Sequence, residues 1–225
     1  MKAISPGTLC NVVILSLLAV ASAPRAEPAD EPALQASRDY ELVNPPQPTA
    51  DPGKIEVLEF FWYGCPHCFH FEPDLNAWLK KKPDNVVFIR QPAIFNDRWA
   101  AHAKAYFTAE SLGVIDKMHT LLYEAIQNQR LKLETEDELA DFFAKHGISA
   151  DDFRKAYRSF SVDSKMRQAA GMAARYGVTG TPALVVNGKY RTGGKLAKSF
   201  PQMIEVLNGL IALETPQSPP KKAAK

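Results

Sequence analysis

The order of apolar and polar positions first predicts a strand, a helix and a second strand. Residues 55–61, IEVLEFF, form a compact β-prone run that ends before Gly64, and a helical pattern follows over about residues 65–82. Residues 86–89, VVFI, come after Pro83 and have the pattern of a buried strand. Two strands joined by a helix predict a parallel pair with a right-handed crossover.

From about residue 97 to residue 176 the apolar positions recur at the spacing of α-helices. Thr135 and Glu138 form a capping box, and Gly147 is typical of a helix end. The regular spacing favours a packed helical core over a cofactor pocket for the apolar and aromatic side chains, which are Trp99, Ala103, Tyr106, Phe107, Met118, Leu121, Leu122 and Ile126.

The predicted sheet resumes after these helices. Residues 183–186, the turn Asn187-Gly188 and residues 189–191 predict a β-hairpin with a type I′ turn. Ser199 opens a last amphipathic helix, whose apolar face carries Phe200, Met203, Ile204, Leu207 and Leu210. These elements predict an α/β fold in which a run of helices is inserted between two parts of one sheet.

The composition is that of one ordinary globular domain. The chain has 225 residues, of which 46% are hydrophobic and 23% are charged. Its 27 basic and 25 acidic residues leave a net charge of +2, so no excess of charge indicates a nucleic-acid partner. Residues 27–53 are a proline-rich lead-in with a short edge strand at residues 40–43, and residues 215–225 are predicted to be a disordered tail.

The first residues indicate export. Lys2 precedes an apolar run from Leu9 to Ala21 that small residues follow, and this order is typical of a signal peptide. The run is shorter than the roughly 20 apolar residues of a spanning helix, although an uncleaved anchor remains the alternative. We predict that residues 1–26 are a signal peptide, with cleavage after Ala21, Ala23 or Ala26.

The two cysteines that remain after cleavage predict redox chemistry. Cys65-Pro66-His67-Cys68 directly follows a strand and opens a helix, where the helix dipole favours a Cys65 thiolate. Pro66 suits the first turn, His67 adds a donor or a positive charge, and Cys68 is placed to attack a mixed disulfide on Cys65. No cofactor is implied, because the cysteine pair itself carries the redox equivalents.

A zinc site is the alternative for the same segment. It would use Cys65, Cys68, His67 and His70, but four ligands within six residues match the usual paired spacing poorly. We therefore predict no metal at this site.

Three further positions carry hypotheses. Gly180-Thr181-Pro182 precedes a predicted strand, and the residues alone leave a cis and a trans Thr181-Pro182 bond about equally open. Glu59, inside an apolar strand, could transfer protons, with a solvated or salt-bridged carboxylate as the alternative. The same alternative is favoured for Glu72, and no role is assigned to His70 or His102.

These motifs resemble those of the DsbA family over nearly the whole mature chain. The resemblance rests on the CPHC motif, residues 57–61 before it, Phe71-Glu72 after it, and residues 180–190 with their Gly-Thr-Pro. It implies a thioredoxin-like core, residues 54–96 and 177–214, with an inserted all-helical domain at residues 97–176. It also implies a cis proline, Pro182, facing the cysteines, and substrate contacts at Gly180 and Thr181.

The resemblance further implies a cellular role. The family oxidises secreted or envelope proteins in the periplasm, and a membrane quinone-linked partner of the DsbB type regenerates it. Thr181 departs from the valine of the best-known oxidants, and related isomerases carry threonine there, so an isomerase or a reductase is the alternative. His67 favours the oxidant, the short lead-in leaves no room for the isomerases' dimerisation domain, and a monomer is expected. The intact cysteine pair argues against a non-catalytic chaperone.

Overall fold

A computed structural model describes residues 34–216 and places five strands in one mixed sheet. The predicted signal peptide and residues 217–225 of the predicted tail lie outside the described residues. The strands are β1 (Glu41–Leu42), β2 (Ile55–Phe61), β3 (Val86–Pro92), β4 (Ala183–Val186) and β5 (Tyr190–Gly193). Their order across the sheet is β1-β5-β4-β2-β3, and only the β2–β3 pair is parallel. The predicted parallel pair and the edge strand are confirmed.

The helices lie where the apolar period predicts them. They are α1 (Pro66–Leu79), α2 (Asp97–Ser111), α3 (Ile115–Gln127), α4 (Glu136–Lys145), α5 (Ala150–Tyr157), α6 (Phe160–Ala169), α7 (Met172–Arg175) and α8 (Phe200–Glu214). Helices α2 to α7 follow β3 and precede β4, and α4 begins with the predicted capping box of Thr135 and Glu138. Within residues 34–216 no helix has the length and apolar character needed to span a bilayer.

The bounds of several elements differ from the sequence prediction, among them β5, which runs over Tyr190–Gly193 and not over residues 189–191. Helix α1 ends at Leu79, earlier than residue 82, because the residue before Pro83 is pushed away from helical geometry. Strand β3 runs on past residue 89 to Pro92, through Arg90 and Gln91. Apolar patterning missed these polar residues, which lie on an edge strand opposite Glu59 and Phe60 of β2.

The hairpin between β4 and β5 has the predicted turn. Asn187 and Gly188 have φ angles of 51° and 65°, and two successive positive angles define a type I′ turn. A side chain on Gly188 would also place its Cβ 2.1 Å from the carbonyl oxygen of Gln47. Glycine at this position therefore lets the lead-in pack directly against the hairpin.

Two clusters of buried side chains meet at the first turn of α1. One joins β2 and β4 to α1 and α8, through residues such as Val57, Phe71, Leu75, Leu184 and Leu207. The other joins the helices that follow β3 to the end of β2, and it includes Phe61, Tyr63, Cys65, Cys68 and Tyr123. Both cysteines are thus fixed where the sheet meets these helices.

Candidate active site

The turn between β2 and α1 presents Cys65 as the cap of the helix. The Cys65 amide donates to the carbonyl of Trp62 at 2.9 Å, which closes the turn. Gly64 is needed there, because a Cβ at its position would lie 2.2 Å from the Trp62 indole. Cys65 has extended backbone angles, and its Sγ accepts from the Cys68 amide, so a thiolate replaces the usual hydroxyl or carboxylate of a helix cap.

The surroundings of Cys65 favour its ionised form. A hydrogen bond from the Cys68 thiol has the largest effect, and with the Thr181 hydroxyl and the amides of Cys68 and His67 it lowers the pKa of Cys65 to about 5. Burial opposes this shift but does not cancel it. The sulfur is therefore largely a thiolate at neutral pH, as the sequence predicts.

His67 acts on the pKa of Cys65 through its backbone, whereas the sequence suggested its side chain. Among the largest effects on the pKa of Cys65, the one that His67 contributes is a hydrogen bond from its backbone N–H. The side chain is exposed, as is that of Pro66 at the first helical position. His70 is also exposed, and within residues 34–216 no three His, Cys, Asp or Glu side chains cluster in a way that could hold a metal ion.

Cys68 lies one helical turn further into the protein and behaves in the opposite way. It is completely buried and both thiols are free. Burial raises the pKa of Cys68 well above its ordinary value, and the neighbouring Cys65 raises it further. The pair therefore has one ionised cysteine that keeps 8% of its surface exposed and one neutral, completely buried cysteine.

The Gly180-Thr181-Pro182 segment lies directly beside Cys65. The Thr181-Pro182 bond is cis, which decides between the two forms that the residues left open. The Cys65 Sγ is 3.4 Å from the carbonyl oxygen of Thr181. Nothing lies within 4 Å of a Cβ built on Gly180, so the backbone on that side of the loop is open. The structure thus brings Gly180, Thr181 and Pro182 to the cysteines.

Glu59 is buried beneath the site and lacks a good partner. Its carboxylate is 3.3 Å from Nε of Arg90, yet neither oxygen has a hydrogen bond among the described residues, because the ion pair is misaligned. Burial raises the pKa of Glu59 to about 8, against the opposing charge of Arg90. Its charge also raises the pKa of Cys68, so the two groups are electrostatically coupled. Glu59 is therefore not solvated but lies in an ion pair with Arg90, and proton transfer by Glu59 stays a prediction.

A polar network that the sequence analysis missed continues from Glu59. Arg90 also contacts Glu72 at 3.2 Å, and Glu72 in turn accepts from Nε2 of His119 at 3.4 Å. The other ring nitrogen of His119 lies 2.9 Å from the Tyr63 hydroxyl. Burial alone would raise the pKa of Glu72, but His119 and Arg90 hold it below its ordinary value. Glu72 is therefore salt-bridged, as the favoured alternative predicts.

A sequence signal existed for one part of this network. Glu59 and Arg90 are direct neighbours in the register of β2 and β3, and each places a charge inside an otherwise apolar strand. His119 gave no such signal, because it lies on α3 beside Met118 and Leu122 on an ordinary apolar face. His102 is buried with its Nε2 beside the Lys132 carbonyl, and burial lowers its pKa, which agrees with a structural role.

Comparison with known sequences gives one consistent set of relatives. The family model described as "DSBA-like thioredoxin domain" matches residues 89–205. A thiol:disulfide interchange protein DsbA from Azotobacter vinelandii is 48% identical over 164 residues, which is 73% of this chain and 75% of that protein. The protein of the same name from Pseudomonas syringae pv. tomato is 40% identical over 220 residues, covering 96% of this chain and 99% of its own length.

Comparison with solved structures agrees. The crystal structure of Pseudomonas aeruginosa DsbA superposes with a TM-score of 0.77 at 41% identity, over 80% of this chain and 94% of that one. The crystal structure of the oxidoreductase DsbA from Xylella fastidiosa gives a TM-score of 0.73 at 34% identity, over 78% and 95% of the two chains. The similarity in sequence is thus accompanied by similarity in fold.

Proposed function

Because the chain belongs to the DsbA family and is a thiol:disulfide oxidoreductase with a thioredoxin-like fold, we propose that it acts as an oxidant, which donates a Cys65-Cys68 disulfide to other proteins. The observation that carries this direction is the lowered pKa of Cys65. A stabilised thiolate exists only in the reduced enzyme, so it favours reduction of the enzyme and oxidation of the substrate.

The first step is attack on the disulfide by a substrate thiolate. The attack falls on Cys65 Sγ, since Cys68 is completely buried. The Cys65-Cys68 bond breaks, a bond from the substrate to Cys65 forms, and Cys68 leaves as a thiolate. A second substrate thiolate then attacks the substrate sulfur of the mixed disulfide and releases the Cys65 thiolate. The substrate loses two electrons to form its disulfide, and the enzyme gains them.

Glu59 supplies the proton for the first step in this scheme. Its raised pKa keeps the carboxyl protonated at neutral pH, so it can protonate Cys68 as that thiolate departs. In the reverse direction, when the enzyme is reoxidised, the carboxylate takes the proton back. Pro66 and His67 act in the same scheme by shaping the first turn and donating a backbone N–H to Cys65.

Gly180 and Thr181 bind the substrate backbone in this proposal. An extended segment next to the substrate cysteine adds to the loop as a short strand, with Pro182 fixing the loop against the thiols. The Thr181 carbonyl beside Cys65 Sγ and the open backbone side of Gly180 support this arrangement.

The cellular setting is part of the proposal. We infer export to the periplasm after loss of residues 1–26, action on reduced secreted or envelope proteins, and reoxidation by a DsbB-type quinone-linked membrane protein. The enzyme works as a monomer without cofactor, metal or nucleic acid. Residues 54–96 and 177–214 act as the thioredoxin core, and residues 97–176 as the inserted helical domain.

A redox equilibrium with glutathione tests the direction of the reaction. The mature enzyme is incubated with defined mixtures of reduced and oxidised glutathione, and the thiol and disulfide forms are separated after acid quenching. An oxidant reaches half reduction in mixtures that contain little reduced glutathione. Half reduction only at a large excess of reduced glutathione, together with efficient repair of a scrambled disulfide protein, would favour the isomerase that Thr181 suggests.

A further inference from the structure

A groove opens from the active site toward the start of α8. It has a volume of about 860 Å³ and lies between residues 178–183, strand β5 and the N-terminal end of α8. His67 and Thr181 line its inner end, and Thr181 is the residue that touches Cys65. A polypeptide joined to Cys65 therefore has this groove within reach of the residues that flank its cysteine.

The floor of the groove is apolar and fixed. Its apolar lining comes from Val178, Ala183, Leu196, Phe200, Pro201 and Met203. Phe200 packs against Phe71 of α1 with ring centroids 5.5 Å apart, and Met203 is fully buried. Such a floor accepts apolar side chains of many shapes, and it gives no preference for charge.

The rim of the groove carries an excess of positive charge. Glu41 and Arg191 both line it, and they form an ion pair with each other. Lys195 and Lys198 also line the groove, and both are exposed without an ion-pair partner among the described residues. Two uncompensated ammonium groups thus remain at the mouth.

One acidic residue, Asp39, lies near this rim, but its carboxylate is already bound by Arg38 and the Gln35 amide. The charge of Lys198 contributes to lowering the pKa of Asp39, although a hydrogen bond from Arg38 contributes most. The Asp39 carboxylate lies 2.6 Å from Nη2 of Arg38, accepts from the Gln35 amide, and is almost fully buried. Asp39 therefore offsets the charge of Lys198 only in part, and Lys195 has no ion pair within residues 34–216.

We propose that Lys195 and Lys198 make the enzyme prefer, among polypeptides that lie in this groove, those that carry aspartate or glutamate beside the apolar residues next to the cysteine. This inference rests on the proposed oxidation of protein substrates. The apolar floor holds the hydrophobic side chain, and Lys195 and Lys198 attract the acidic ones. Exposed charges at the rim of an interface act mainly on the association rate, and their effect weakens with salt.

Matched peptides test the selectivity. Two dithiol peptides share the same apolar residues around the cysteine and differ only in having Asp and Glu, or Lys and Arg, at the flanking polar positions. Rates of oxidation by the mature enzyme are measured at low salt and at 1 M salt. We expect the acidic peptide to react about 5- to 20-fold faster at low salt, with a ratio near one at high salt.

Charge-reversed variants locate the effect. In Lys195→Glu/Lys198→Glu the preference is expected to invert, so that the basic peptide becomes the faster one. Lys80→Glu/Lys81→Glu changes the net charge by the same amount at exposed positions beyond the other end of α1, about 20 Å along the helix from Cys65. This control is expected to keep the preference for the acidic peptide. The ratio of the two peptides within each variant cancels any general change in activity.

Each other outcome overturns a specific statement. Equal oxidation of both peptides by the unmodified enzyme would remove the charge selectivity and leave the oxidase function intact. Failure to oxidise either peptide by a folded enzyme would overturn the proposed function itself. Loss of the preference in both double variants alike would assign it to the net charge of the protein and not to the groove.

Discussion

The first turn of α1 and the interior directly beneath it shift the pKa of a cysteine thiol in opposite directions. At the helix end, Cys65 accepts from the Cys68 thiol, the Thr181 hydroxyl and backbone amides, and its pKa falls to about 5. One turn deeper, Cys68 is surrounded by apolar and aromatic side chains, and its pKa rises well above the ordinary value. The motif supplies two thiols, but the two environments make them a leaving group and a resolving group.

The same contrast bears on Glu59, the buried acid that we propose as the proton donor. Proton transfer to a buried thiolate needs a buried donor, and Glu59 is kept neutral by the same burial that keeps Cys68 neutral. Arg90 and Glu72 connect this interior to His119 on the helices that follow β3. The helices after β3 thereby contribute to the electrostatics of the thioredoxin core.

Exchange of the two cysteines for serine has the largest expected effect. Cys65→Ser removes the accessible sulfur, and we expect all oxidase activity to be lost. Cys68→Ser leaves the nucleophile without its resolving partner, so mixed disulfides between Cys65 and substrate proteins should accumulate. Mass spectrometry of the trapped species measures this. Adducts attached to Cys68 in the unmodified enzyme would reverse the two roles.

Substitution of the buried acid should slow the reaction without removing it. Glu59→Gln keeps the shape but cannot release a proton, and general acid catalysis contributes about 100-fold or more. In the unmodified enzyme the acid is lost as pH rises through about 8, so substrate oxidation should fall above that pH. The variant should lack this fall. Stopped-flow rates between pH 6 and 9 measure both effects, with Glu205→Gln, an exposed acid of α8, as the control. An unchanged profile in Glu59→Gln would exclude the role.

The stability difference between reduced and oxidised enzyme should depend on pH. The lowered pKa of Cys65 stabilises the reduced fold fully above its ordinary pKa of about 9, and this stabilisation is lost as pH falls through about 5. The slope of this dependence is at most about 1.4 kcal/mol per pH unit.

In the oxidised enzyme the disulfide closes a four-residue loop, which adds about 2 kcal/mol to the free energy of unfolding. This contribution opposes the stabilisation of the reduced enzyme by the Cys65 thiolate. We therefore expect the free energies of unfolding to cross near neutral pH, with the reduced enzyme more stable above the crossing. Parallel urea melts at pH 4, 7 and 8.5 measure the difference. A gap that stays constant with pH would contradict the ionised state of Cys65.

Two substitutions at His67 separate its backbone from its side chain and have the smallest expected effect. His67→Pro removes the N–H that donates to Cys65, and it should raise the pKa of Cys65 by about one unit. His67→Ala keeps the N–H and should raise it less. Absorbance of the thiolate during a pH titration measures both. Equal shifts in the two variants would assign the effect to the imidazole, as the sequence alone suggested.

Local signals in the sequence predicted most of the elements. The seven residues of β2, the capping box of Thr135 and the type I′ turn at Asn187 each depend on neighbours close in the chain. The helix end at Cys65 follows from a strand that leads straight into Pro66, so the nucleophile could also be assigned. The sequence could not predict whether Glu59 is buried, because an apolar strand permits either a buried or a solvated carboxylate.

The remaining features depend on contacts between distant segments. Arg90 is a partner of Glu59 only in the register of β2 with β3, and the end of β3 was missed because its polar residues interrupt the apolar run. The contact between His119 and Glu72 needs the packing of α3 against α1, which periodicity cannot give. The sequence also could not show that His67 lowers the pKa of Cys65 through its backbone N–H, because this depends on the positions of individual N–H groups around the sulfur.

The contact between Cys65 and the Thr181 carbonyl has a consequence for how the protein folds. The two residues are 116 positions apart, and seven helices, α1 to α7, lie between β2 and β4 along the chain. Pairings of such large sequence separation form slowly, because the loop has to close before any contact stabilises it. A chain that has folded only through α1 carries both thiols but not yet the loop or the groove beside them. Competence as an oxidant is therefore gained late in folding, with closure of the central sheet.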